Sequence, residues 1–123
     1  MKNVNKYSLF LTVVLFVGLT TYSGAFASGK IKILEIGPNK VKAGVGFNVQ
    51  PNGSSAMWVK TENATKDTVI FWGNTKLATY FQSPNLLTAG VPNELFSKPG
   101  KFTIYLIDQQ NKQKTNSVSL TVQ

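Results

Sequence analysis

The chain has 123 residues and a formal net charge of +8 at pH 7, with 13 basic residues against 5 acidic ones. Every basic residue is lysine, and there is no histidine and no cysteine. This composition excludes histidine general bases, thiol nucleophiles, zinc sites built on His or Cys, and a disulfide framework.

The first stretch reads as a leader. Lys2 and Lys6 give a positive start, residues 9–19 form an apolar run, and Ala25-Phe26-Ala27 supplies a small-x-small cleavage pattern. The run is short of the roughly 20 apolar residues that a spanning helix needs. Cleavage after Ala27 is expected, leaving residues 28–123 as one small domain with one core and no transmembrane segment. An exported domain of this size without cysteine points to a bacterial periplasmic, secreted or cell-surface protein.

After the leader no helical period is sustained. Pro38-Asn39, Pro51-Asn52-Gly53, Gly73-Asn74, Ser83-Pro84-Asn85, Pro92-Asn93 and Pro99-Gly100 read as turns. Between them lie short runs with β character: 31–36 (IKILEI), Val45, Phe47 and Val49 in alternation, 56–59, 68–72 (TVIFW), 77–81 and 86–91. Residues 93–97 suit a single helical turn. In 102–107, Phe102, Ile104 and Leu106 share one face, and Thr103, Tyr105 and Ile107 share the other. Residues 108–116 (DQQNKQKTN) read as an exposed, mobile hairpin tip before the last strand, 118–122. Seven or eight short strands spaced about ten residues apart predict an all-β, antiparallel β-sandwich of immunoglobulin-like type.

Certain residues resemble a known family. They are Ile36-Gly37-Pro38, Ala43-Gly44 and Phe47 early, then Val69 to Trp72 with Gly73-Asn74 and Leu77. Leu87-Thr88-Ala89, Val91-Pro92, Leu95, Pro99-Gly100, the FTIYL strand and the terminal VSLTV follow. In this order they resemble the IPT/TIG family of immunoglobulin-like domains over nearly all of 31–122. The sequence departs from that pattern at 50–55, where a Gly-rich stretch is usual, and by an insertion over 60–66. The resemblance implies a binding or structural role. It brings no shared catalytic residues.

Five acids remain for chemistry: Glu35, Glu62, Asp67, Glu94 and Asp108. A glycosidase needs two carboxylates across a cleft, for which so small a sandwich has little room. Glu62 and Asp67 with Asn63 and Thr65 offer a weak calcium alternative, but no EF-hand-like spacing supports it. The reading is a non-enzyme with no cofactor and no metal. Zero arginine and an export leader argue against nucleic acid. The candidate interaction surface is Trp58, Val69, Phe71, Trp72, Tyr80 and Tyr105, although a Trp on this strand of an immunoglobulin-like sandwich is often the buried one. The expected partner is another protein or a second copy. The alternative is a polysaccharide held on aromatic rings exposed on a sheet face. Which face of 68–72 is buried stays open at this stage.

Overall fold

The structure, a computed structural model, describes residues 29–123; the expected leader lies outside the described residues. The strands are β1 (Lys32–Gly37), β2 (Lys40–Val41), β3 (Ser55–Glu62), β4 (Thr68–Trp72), β5 (Thr75–Lys76), β6 (Thr79–Ser83), β7 (Leu86–Val91), β8 (Gly100–Asp108) and β9 (Val118–Val122). One 3-10 turn, Asn93–Phe96, stands where a single helical turn is expected. Two sheets form, β1-β3-β7-β6 and β2-β9-β8-β4-β5. That is the immunoglobulin-like order, with the first strand divided between the two sheets at Pro38-Asn39. β2 and β5 are two-residue strands that raise the count above seven or eight, and β2 runs parallel to β9.

Each strand is placed by its alternation. In β3, Ser55, Met57, Val59 and Thr61 turn inward while Ala56, Trp58, Lys60 and Glu62 turn outward. Leu87, Ala89 and Val91 of β7 and Ile104 and Leu106 of β8 do the same. The two inner faces meet in one core that includes Val59, Ile70, Leu87, Ile104, Leu106 and Leu120. The β4–β5 hairpin closes on two residues, Gly73 and Asn74. Gly73 sits at φ 60, the left-handed value that such a turn needs at its first central position.

Three expectations need correction. Trp72 is not a surface residue. It is 2% exposed and packs 5.4 Å from Phe102, ring centre to ring centre. The register explains it: Trp72 lies opposite Ile104 and Ile70 opposite Leu106, so the inward side of β8 fixes the inward side of β4. Secondly, Val45, Phe47 and Val49 belong to a loop. Asn48 takes φ 43, Phe47 turns in to meet Phe96 at 4.9 Å, and Val45 and Val49 stay exposed. Thirdly, the 108–116 segment is anchored at several points. Asp108 and Thr115 are buried, and Thr115 Oγ1 accepts from the Leu106 N–H at 3.0 Å.

That segment also finishes the β1 edge. The Asn116 amide accepts from the Ile33 N–H at 2.9 Å and donates to the Ile33 carbonyl at 3.1 Å, as a neighbouring strand would. Gln113 Oε1 accepts from the Ile31 N–H at 2.7 Å. Replacing Asn116 with Ala strands both groups of Ile33. The expected loss is about 1–3 kcal/mol of stability, read by urea denaturation, with Asn116→Asp, which keeps only the acceptor, falling in between.

Candidate functional site

The outer face of the four-stranded sheet carries a groove of about 710 Å³. Its geometry follows from register. Trp58 of β3 lies opposite Thr88 of β7, and Thr88 lies opposite Tyr80 of β6. The two aromatic residues therefore stand in one row, two strands and about 10 Å apart, with a threonine between them. In the neighbouring row Ala56 lies opposite Gly90. Small side chains thus make the floor and large rings make the sides. Tyr80 is 59% exposed, and Trp58 is half-buried.

Trp58 owes its place to Gly37, its register partner at the end of β1. A Cβ on Gly37 would overlap Cε2 and Cζ2 of the indole. The ring fills the space where a side chain would be, covering a bare stretch of edge strand. The Lys60 ammonium lies 5.6 Å from the ring centre, within cation–π reach.

The end wall is the 48–54 loop, and hydrogen bonds hold it in shape. Asn48 Nδ2 donates to the Ala56 carbonyl, Gln50 Nε2 donates to the Asn48 carbonyl, and Asn52 Oδ1 accepts from both N–H and Oγ of Ser54. Gln82 on β6 donates to Thr88 Oγ1 at 3.3 Å. Each amide uses one end on the protein. All four line the groove, and these bonds leave the side-chain carbonyl oxygens of Asn48, Gln50 and Gln82 and the NH2 of Asn52 for other partners. Among the described residues no charged side chain lines it. Neutral amides beside aromatic rings suit a polyhydroxylated, uncharged ligand better than an ion.

The remaining candidate surface residues lie on the opposite side of the sandwich. Phe71 and Tyr105 face outward from β4 and β8 and stack at 5.3 Å with 8° between their planes. Val69 sits beside Ile107 in the next row. All four are half-buried, so each covers its neighbour. The structure therefore divides the six candidates: Trp58 and Tyr80 share the groove, Val69, Phe71 and Tyr105 share the other face, and Trp72 is core. Asn48, Gln50, Asn52 and Gln82 were not singled out by sequence reasoning, because only tertiary register brings the loop and β6 to one place.

No family model matches the chain, and no curated protein matches it.

The acids do not gather. Glu35, Glu62, Asp67 and Glu94 are exposed, and Asp108 is buried with its carboxylate accepting from Thr65 Oγ1 at 2.8 Å and from the Gln110 and Asn111 N–H groups. Among the described residues no three acids, histidines or cysteines come together to hold a metal ion. Around Glu62 and Asp67, Asn63 Nδ2 donates to the Lys30 carbonyl and Thr65 Oγ1 donates to the Asp108 carboxylate. Among the described residues no helix is long and apolar enough to cross a membrane.

Proposed function

We propose that the protein is an exported, non-catalytic binding module of immunoglobulin-like type that holds a neutral polysaccharide chain in the groove of its four-stranded sheet. The observation that carries this reading is the single row Trp58–Thr88–Tyr80, with Asn48, Gln50, Asn52 and Gln82 around it and no charge among them. Sugar rings have apolar faces that lie against aromatic side chains and hydroxyls that amides recognise. The groove offers both kinds of contact at fixed spacing. The sandwich strand order and the divided first strand support the IPT/TIG resemblance as part of this proposal. The leader-like N-terminus supports export. The protein-partner reading through Val69, Phe71 and Tyr105 is weaker, because these side chains cover one another.

Two variants test the proposal against a panel of dextran, mannan, cello-oligosaccharide and chito-oligosaccharide. Trp58→Ala is expected to lower affinity for the glycan that binds by about tenfold or more, an effect of about 1.4 kcal/mol. Gly90→Val is the sharper test. A Cβ at Gly90 meets nothing within 4 Å, so the strand accepts the side chain, which then fills the groove floor. Valine in a strand is expected to raise stability by about 0.5–1 kcal/mol while abolishing glycan binding. Absence of retention on every neutral glycan, or full binding by Gly90→Val, would sink the reading.

A further inference from the structure

The two outer faces of the sandwich differ in charge. On the four-stranded sheet each lysine stands opposite an acid: Lys32 opposite Glu62, and Lys60 opposite Glu35 with 3.6 Å between ammonium and carboxylate. On the five-stranded sheet the outward charges are lysines alone. Lys40, Lys76 and Lys101 come from β2, β5 and β8, and Lys114 joins them beside Ile107. The one acid on those strands is Asp108, which turns inward and is 3% exposed. Asp67, in the turn before β4, is the acid nearest this face in the chain.

Register places the lysines around a frame. Lys40 and Lys101 flank Thr121 in one row, with Lys40 on β2 and Lys101 on β8, about 10 Å apart across β9. The next outward row holds Ser119 and Thr103. The row beyond holds Tyr105 and Phe71 with Lys76 at its edge, about 14 Å from the first row. Lys114 is held in place, its ammonium 4.4 Å from the centre of the Tyr105 ring. Between the lysines the surface is a strip of hydroxyls, Thr103, Ser119 and Thr121.

What this face lacks narrows the partner. Its apolar side chains are half-buried and do not project, while the exposed large hydrophobics, Leu34, Val45, Val49 and Tyr80, lie elsewhere. Nothing here would insert into a membrane. Lysine presents a compact point charge, so ammonium groups spaced about 10 Å apart with hydroxyls between them suit a hydroxylated chain that carries its anionic groups singly, as a uronate polymer does. We infer that the outer face of the five-stranded sheet is a second binding surface, and that it takes a carboxylated polysaccharide lying across Lys40, Lys101, Lys76 and Lys114. The hydroxyl strip meets the sugar hydroxyls, and the ammonium groups meet the uronate carboxylates. This surface is independent of the groove, which lies on the other side of the sandwich.

Polygalacturonate is the probe, used with the full-chain protein at about 0.15 M salt, where charges more than about 8 Å away are largely screened. Lys76→Gln with Lys101→Gln is expected to weaken binding about tenfold. Lys32→Gln with Lys60→Gln removes the same charge from the opposite face and is expected to leave binding unchanged. Equal weakening by both lysine pairs would reduce the effect to net charge and overturn the assignment. Failure to bind polygalacturonate, or binding to phosphatidylglycerol vesicles in its place, would also overturn it. Because the groove is scored on neutral glycans with Gly90→Val, the two sites can fail separately.

Discussion

Trp72→Ala is expected to cost about 3–5 kcal/mol, the largest single loss in the domain. A small domain has about 5–15 kcal/mol of stability in total, so the variant would be near the edge of folding. Trp72 is 2% exposed, sits opposite Ile104 and packs on Phe102, so its removal opens a void between the two sheets. Trp72→Phe separates packing from hydrogen bonding. The buried Nε1–H of Trp72 has no acceptor among the described residues, an arrangement that costs about 1–3 kcal/mol. Phenylalanine keeps most of the ring and removes the orphan donor. The Trp72→Phe loss is therefore expected to be about 1 kcal/mol. Urea denaturation followed by far-UV circular dichroism reads both, and either variant leaves Trp58 as the sole tryptophan. A Trp72→Phe loss as large as that of Trp72→Ala would show that the indole nitrogen does find a partner.

This residue also marks how far sequence reading goes. Strand 68–72 is apolar on both faces, so alternation alone does not say which face is core. Its partner β8 decides, because Ile104 and Leu106 face inward and the register carries that side across to Ile70 and Trp72. The strands themselves are legible since their turns are marked by Gly, Pro and Asn. Where an element is misread, a tertiary contact has overridden alternation, as when Phe47 turns in to Phe96 and Val45 and Val49 are left outside. The groove is the least legible feature. Its floor comes from Ala56, Thr88 and Gly90, and its wall from the 48–54 loop. Nothing local in the chain states that Trp58 and Tyr80 share a row. Lys114 is similar: within a polar hairpin it reads as solvated, yet it stands over Tyr105.

Gly37 carries the second large prediction, because one methyl group there is expected to dismantle the groove. In the sequence it stands only within the Ile36-Gly37-Pro38 stretch, just before the Pro38-Asn39 turn. In the structure its lack of a side chain is what admits the Trp58 indole, whose Cε2 and Cζ2 occupy the place of a Cβ and whose Nε1 would lie 2.6 Å from it. The methyl of Gly37→Ala cannot share that space, and backbone at the end of β1 is tied to β3 by the ladder. The indole is the part able to move, so it must swing to another rotamer. The overpacking cost is expected to be about 1–3 kcal/mol. The larger effect falls on binding: with the ring gone from the row it shares with Thr88 and Tyr80, neutral-glycan affinity is expected to fall as far as in Trp58→Ala, about tenfold or more. The fluorescence of Trp58 reports the move directly, in a Trp72→Phe background if the two indoles overlap. Pairing the substitutions adds a further check. If Gly37→Ala acts only through the ring, it has no additional effect on binding in a Trp58→Ala protein, and it becomes less destabilising there because the clash is gone. Independent, additive losses in the double variant would mean that Gly37 serves the β1 backbone itself and not the placement of Trp58.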